Sequence, residues 1–176
     1  MKKAMVFFVI ALGLGRLQAQ EVDLLRLGYD RPSIQSGQVG MAVSPDGRFI
    51  AFVYEDKTIK VFDASIGRFT KRFKASFDGF FDVQLATGQR LALVGPKSVR
   101  VIDLVTEKEI KQFPLEAEAT KTSFLGAHNL LAVGQKEGYV QVFDLAANEQ
   151  TFATQYKKHH VSALAFHPSG KKLIVG

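Results

Sequence analysis

The stretch of sequence that decides the fold runs from Ser44 to Asp63 and reads Ser-Pro-Asp-Gly-Arg-Phe-Ile-Ala-Phe-Val-Tyr-Glu-Asp-Lys-Thr-Ile-Lys-Val-Phe-Asp. Proline and glycine within four residues are typical of a tight turn. The apolar residues 49–53 that follow are continuous, which favours a strand covered on both faces. Residues 58–62 alternate between polar and apolar types, as expected of a second strand. The stretch therefore predicts a turn followed by two short strands.

This unit recurs along the chain with a period of about 41 residues. The triplets Val61-Phe-Asp63, Val101-Ile-Asp103 and Val142-Phe-Asp144 are spaced by 40 and 41 residues. Turn residues that tolerate positive φ recur at intervals of 41 residues, namely Gly47, Gly88, Asn129 and Gly170. Further strand patterns precede each turn and follow each Asp, so each unit has four short strands. Four-stranded units of about 40 to 45 residues are typical of propeller blades.

We therefore predict an all-β fold made of β-propeller blades, each with four antiparallel strands. Three blades are complete, at about 38–74, 75–115 and 116–157, and a partial blade covers 158–176. Residues 20–37 are expected to form a lead-in or a strand that closes the ring. Because a propeller closes with about four to eight blades, we expect an incomplete ring, from a truncated chain or one that continues past Gly176.

Residues 38–176 resemble the WD40 family. The family pattern is a Ser-Pro-Asp-Gly turn, an apolar strand, an Asp before the next strand and a closing Trp-Asp; residues 44–63 carry all of it except the Trp. Residues 161–170 resemble the same opening. Phe62, Ile102 and Phe143 replace the Trp, and no Gly-His dipeptide precedes the first strands. The repeats are similar to degenerate bacterial WD40-like, YVTN-type and quinoprotein-type propellers, and residues 44–52 also to TolB propeller blades.

The N-terminus predicts a secretory signal peptide over residues 1–19. Lys2 and Lys3 precede an apolar run of 12 residues, and Ala19 provides a small residue for cleavage. The run is shorter than the roughly 20 residues that span a bilayer, so we expect no stable membrane insertion after cleavage. Cleavage would remove three basic residues and no acid, which lowers the net charge from +6 to +3. This weak charge and the expected export argue against nucleic acid as a partner.

Polar residues that recur with the period are interpreted as structural, since every blade needs them. Asp63, Asp103 and Asp144 are expected to start turns by accepting backbone N–H bonds. Asp56 is expected to act in the turn before the third strand, and Glu107 does not fit a positive-φ position. His160 and His167 are expected on one strand with opposite orientations, so they cannot share a metal. The sequence predicts no catalytic residue, no metal site and no cofactor.

The segment Phe77-Asp78-Gly79-Phe80-Phe81 connects the first two predicted blades. The resemblance implies that such connections line the face that meets partners, so Phe77, Asp78, Phe80 and His159 are candidate protein-binding residues. The alternative is that Phe80 and Phe81 begin the next strand and one of them packs between blades.

These observations favour a periplasmic or extracellular scaffold that binds a protein or peptide and is not an enzyme. One alternative is the N-terminal docking or regulatory part of a larger secreted enzyme, for example a protease, whose catalytic domain follows Gly176. Another is a fragment of a propeller enzyme of the lactonase or quinoprotein type.

Overall fold

The computed structural model describes residues 37–156 and 159–176, so the predicted signal peptide and nearly all of the predicted lead-in lie outside the described residues. The described part contains β-strands and short 3₁₀ turns. The first eight strands are β1 (Gln38–Val43), β2 (Phe49–Tyr54), β3 (Thr58–Asp63), β4 (Arg68–Lys74), β5 (Asp82–Ala86), β6 (Arg90–Val94), β7 (Ser98–Asp103) and β8 (Lys108–Pro114). The others are β9 (Ala119–Leu125), β10 (Leu130–Gln135), β11 (Tyr139–Asp144), β12 (Glu149–Gln155), β13 (Leu164–Phe166) and β14 (Leu173–Val175).

The strands form antiparallel sheets in simple sequence order. Three sheets have four strands each, β1–β4, β5–β8 and β9–β12, and β13 pairs with β14 in a sheet of two. We call the three four-stranded sheets blades 1, 2 and 3. The prediction of an all-β fold with four-stranded antiparallel blades is confirmed, and the sheet pattern is that of an incomplete propeller.

The recurring turn residues adopt the backbone conformation that gives the repeat its spacing. Gly47, Gly88, Asn129 and Gly170 have φ values of 72°, 69°, 54° and 70°. Asn129 also accepts hydrogen bonds at 2.8 Å from the backbone N–H and the hydroxyl of Thr87, which ties the turns of blades 2 and 3 together. Glu107 has a φ of 59°, so the expectation that it would not fit this conformation is wrong.

The aspartates at the ends of the third strands hold the turns that follow. Asp63 accepts the backbone N–H of Ser65 at 2.9 Å. Asp103 accepts the N–H groups of Val105 and Thr106 at 2.8 and 3.0 Å, and Asp144 does the same for the two residues after Leu145. Asp56 accepts both the N–H and the hydroxyl of Thr58 at 2.9 Å. Each carboxylate therefore satisfies donors that a tight turn leaves unpaired.

The Asp63 turn predicts a dependence of stability on pH. The hydrogen bond from the Ser65 hydroxyl, with a further contribution from Arg48, lowers the pKa of Asp63. A carboxyl whose pKa is lower in the folded chain stabilises it above the unfolded pKa of about 3.9, and the stabilisation is lost as the pH falls through the folded value.

We expect the urea midpoint to decrease as the pH falls below about 4, and this decrease to be smaller in Ser65→Ala. Urea titrations between pH 6 and pH 2.5 measure both. Ser76→Ala, at an exposed serine outside the turn, is the control and should keep the wild-type profile. Equal profiles for Ser65→Ala and the wild type would contradict this role of Asp63.

The hydrophobic core lies between successive blades. One buried cluster joins β2 and β3 of blade 1 to the facing residues of blade 2, and a second joins β6 and β7 of blade 2 to blade 3. In both interfaces the next blade contributes an apolar residue on each side of the Asp that ends its third strand. These pairs are Ile102 with Leu104 and Phe143 with Leu145, all at most 2% exposed. Each blade is therefore stabilised by its neighbour.

Strand β13 is three residues shorter than the predicted strand over 161–166. The N–H groups of Ser162 and Ala163 both donate to the carbonyl of Gly176, at 2.7 and 3.0 Å. The shared acceptor places two residues opposite one, which interrupts regular pairing. Val161 instead donates to the carbonyl of Gln135 in blade 3. His160 consequently lies before the strand and not on it.

Candidate functional site

One end of the blades carries the segments that connect one blade to the next. Because the strands alternate in direction, the fourth-to-first-strand links and the second-to-third-strand turns lie at the same end. We call this end the connector face. It includes the links 75–81 and 115–118, the described parts of the link 156–163, and the turns 55–57, 95–97 and 136–138.

The link 75–81 is anchored by two of its three phenylalanines. Phe77 is 7% exposed and belongs to the core between blades 1 and 2. Phe80 is half-buried and packs so closely on Gly40 of β1 that a Cβ there would overlap its ring. The two rings lie 6.4 Å apart. Phe77 and Phe80 therefore stabilise the blade interface, which corrects their interpretation as exposed binding anchors.

The same link presents Asp78 and Phe81 to solvent. The side chain of Asp78 is 94% exposed, and Phe81 is 39% exposed. Gly79, with a φ of 77°, turns the chain between them and contacts Pro96 of the neighbouring turn. The N–H of Phe81 donates to the carbonyl of Val94 at 2.8 Å, which fixes the backbone before β5.

Arg100 on β7 connects this link to the body of blade 2. Its guanidinium lies 3.9 Å from the Asp78 carboxylate and 3.0 Å from that of Glu109 on β8. The Arg100 side chain is 16% exposed, whereas Asp78 is almost fully exposed. The contact with Asp78 is therefore screened by water and contributes little to stability, but it leaves a positive group beside the exposed carboxylate.

His159 lies on the same face but in another link. It is exposed and belongs to the connection between blade 3 and β13, whereas Asp78 belongs to the connection between blades 1 and 2. The four predicted binding residues are therefore not brought together into one patch. Among residues 37–156 and 159–176, no three His, Cys, Asp or Glu side chains are grouped so that they could hold a metal.

Comparison with protein families adds an independent observation. The family model described as "WD domain, G-beta repeat" matches residues 33–63, which include all of β1, β2 and β3. The match thus covers the first turn and the first Phe-Asp strand end of a repeat that the three blades display. The chain is a WD40-like propeller repeat protein.

No curated protein matches this WD40-like chain. WD40 repeats generally mediate contacts between proteins, so the family indicates an interaction scaffold. Within its described residues there is no helix long and apolar enough to cross a membrane.

Two buried glutamines support the connector face of the WD40-like chain, and sequence reasoning missed both. Gln135 and Gln141 are 0% and 2% exposed. Gln135 accepts the N–H of Ala117 at 2.7 Å and donates to Gln141 at 2.7 Å. Gln141 in turn donates to the carbonyl of Pro114 at 3.3 Å. The pair thereby fixes the link 115–118 from inside blade 3.

A signal for this role was present in the repeat. Lys60, Arg100 and Gln141 all occupy the polar position in the middle of a third strand. Arg100 and Gln141 both reach the link that precedes their own blade, through Asp78 and through Pro114 respectively. The polar residue of the alternating pattern is therefore not a simple solvent-facing residue in blades 2 and 3, because it contacts the connector.

Proposed function

We propose that this WD40-like chain is an exported scaffold that binds a protein partner through its connector face, with Asp78 and Phe81 at the centre of the contact. The observation that carries the proposal is the construction of the link 75–81. Phe77 and Phe80 fix it from inside, while Asp78 and Phe81 point outward. Because the link is already ordered, a partner loses little free energy in ordering it on binding.

The chemistry of this face favours a partner that offers an apolar pocket beside basic groups. An aromatic side chain next to a charged group is a frequent source of binding energy at protein interfaces. Exposed acids outnumber exposed lysines on the described connector face. The acids are Glu55, Asp56, Asp78, Glu116, Glu118 and Glu137, and the lysines are Lys57, Lys97 and Lys136.

Two carboxyl groups of this face have a lowered pKa, which supports the acidic character. The hydrogen bonds from Thr58 lower the pKa of Asp56, and the hydrogen bond from Lys136 lowers that of Glu118. Both groups therefore remain ionised at neutral and mildly acidic pH. They would attract a basic partner at a distance and raise its association rate.

Binding without catalysis is part of this proposal, as is export. The periodic aspartates are engaged in turn hydrogen bonds, which supports a structural role for them. The charged start and apolar run of residues 1–15 support export. Fractionation of the native cells, with an antibody against residues 20–176, tests export: protein found only in the cytoplasm would refute it.

Photo-crosslinking tests the binding surface. A benzoylphenylalanine in place of Phe81 is expected to give one discrete adduct in the cells that make the protein. The same group in place of Ile110, an outer-strand residue that is also 39% exposed, is the matched control and should give none. No adduct from position 81, or the same adduct from both positions, would refute the connector face as the binding surface.

A further inference from the structure

An apolar groove separates the outer half of blade 3 from β14. Its volume is about 680 Å³, and one wall consists of Val140 and Val142 of β11 with Phe152 of β12. Leu173 and Val175 of β14 form the opposite wall. Phe152 is 52% exposed. The groove therefore displays a large apolar side chain beside a row of smaller ones.

The corresponding faces of blades 1 and 2 are covered. Ile59 and Val61 of β3 occupy the positions of Val140 and Val142, and so do Val99 and Val101 of β7. Each of these four residues is at most 1% exposed and lies in a core cluster together with residues of the next blade. The groove is thus the continuation of an interface that the molecule has already formed twice.

The two formed interfaces show what chemistry fits. In each of them the third strand of the next blade supplies two apolar side chains separated by one residue, Ile102 with Leu104 and Phe143 with Leu145. That strand pairs antiparallel with the second strand of its own blade. In the fourth sheet β14 is the second strand, and among the described residues it pairs only with β13. Its other edge borders the groove.

We propose that this groove binds an extended strand of a partner protein, paired antiparallel to the edge of β14. Apolar residues at alternate positions of that strand would fill the space between Phe152 and β14. Strand addition of this kind combines main-chain hydrogen bonds with pockets for alternate side chains. The site is separate from the connector face, so the inference goes beyond the proposed function and does not depend on it.

Phe152 distinguishes this groove from the formed interfaces. It pairs with Val142, whereas Lys71 pairs with Val61 and Lys111 with Val101 at the matching positions of blades 1 and 2. Lys71 reaches forward to the carbonyl of Val105 and the carboxylate of Glu107 in the next blade. Blade 3 thus offers an apolar contact where the other blades use a charged one, which favours an apolar strand.

The partner is a single strand or a thin hairpin and not a second folded copy. The outer strands β11 and β12 already lie over the space beside β14, as the groove lining shows. A second copy that paired its own β14 there would bring its β11 and β12 into the same space. A strand without an attached layer avoids this overlap.

A peptide that copies residues 98–104, Ser-Val-Arg-Val-Ile-Asp-Leu, is a suitable probe. We expect the full chain to bind it in a fluorescence-polarisation titration and the peptide to slow hydrogen exchange in residues 173–175. Phe152→Lys should weaken binding about tenfold, since it removes about 1 to 2 kcal/mol of apolar contact. Lysine already stands at this position in the other blades, so the variant should fold.

Two controls make the result specific. Ile110→Lys changes an exposed apolar residue of β8 outside the groove and should leave binding unchanged. A peptide with lysine in place of the residues that correspond to Ile102 and Leu104 should not bind. No binding of the original peptide, or an equal loss with Ile110→Lys, would overturn the proposal. A dimer in sedimentation velocity that Phe152→Lys dissociates would assign the groove to a second copy and overturn it too.

Discussion

Phe143→Ala is expected to lower the free energy of unfolding by about 3 to 5 kcal/mol, the usual cost of truncating a fully buried phenylalanine. Phe143 is 0% exposed, and its ring lies 4.9 Å from that of Phe113 in blade 2. Truncation therefore opens a cavity in the interface between blades 2 and 3, where both blades lose contacts. Urea titrations followed by circular dichroism measure the change.

The matched control is Phe152→Ala in the same blade. Phe152 is 52% exposed, so its truncation should change the free energy of unfolding by less than about 1 kcal/mol. A loss below about 1 kcal/mol for Phe143→Ala, or equal losses for the two variants, would show that the blade interface is not the main source of stability.

The sequence predicts the blades well because the repeat is a property of the backbone. The same turn and the same strand end recur in each unit, and the structure has β3, β7 and β11 ending at Asp63, Asp103 and Asp144 as the triplets indicate. Residues that need positive φ, or that tolerate it, are visible without knowledge of the fold. Strand bounds that depend on distant partners are not visible. The start of β13 is an example, since it depends on the carbonyl of Gly176.

The candidate site is less predictable for the same reason. An irregular link has no period that separates its inward from its outward side chains, so the roles of Phe77 and Phe81 could not be told apart in the sequence. Gly40 is 37 residues away from Phe77, and only the contact between β1 and the next link shows that its lack of a Cβ makes room for Phe80. Burial in this link is set by tertiary packing and not by local pattern.

The links of the connector face share one construction: each is held by the blade that follows it. Arg100 of blade 2 lies beside the first link, and Gln135 and Gln141 of blade 3 hold the second. The first contact is charged and partly exposed, whereas the second is neutral and buried. The first link should therefore depend on salt, while the second should depend on the geometry of its hydrogen bonds.

Gln135→Ala is expected to lower the free energy of unfolding by about 2 to 3 kcal/mol, because it leaves buried polar partners without hydrogen bonds. The N–H of Ala117 loses its acceptor, and Gln141 loses the donor to its side-chain oxygen. Hydrogen exchange at the Ala117 amide should rise well above the exchange that global unfolding explains. Gln112→Ala, at an exposed glutamine on β8, is the control and should change neither quantity.

A double-mutant cycle with Gln141→Ala separates this network from two independent contacts. Once Gln135 is truncated, the bond between the two side chains is already lost, so the second substitution should cost less than it does alone. We expect a coupling energy of about 1 kcal/mol. Additive losses, together with unchanged exchange at Ala117, would mean that the glutamines fill space and do not hold the link. Weaker protection confined to residues 115–118 would show that the connector face depends on the blade behind it.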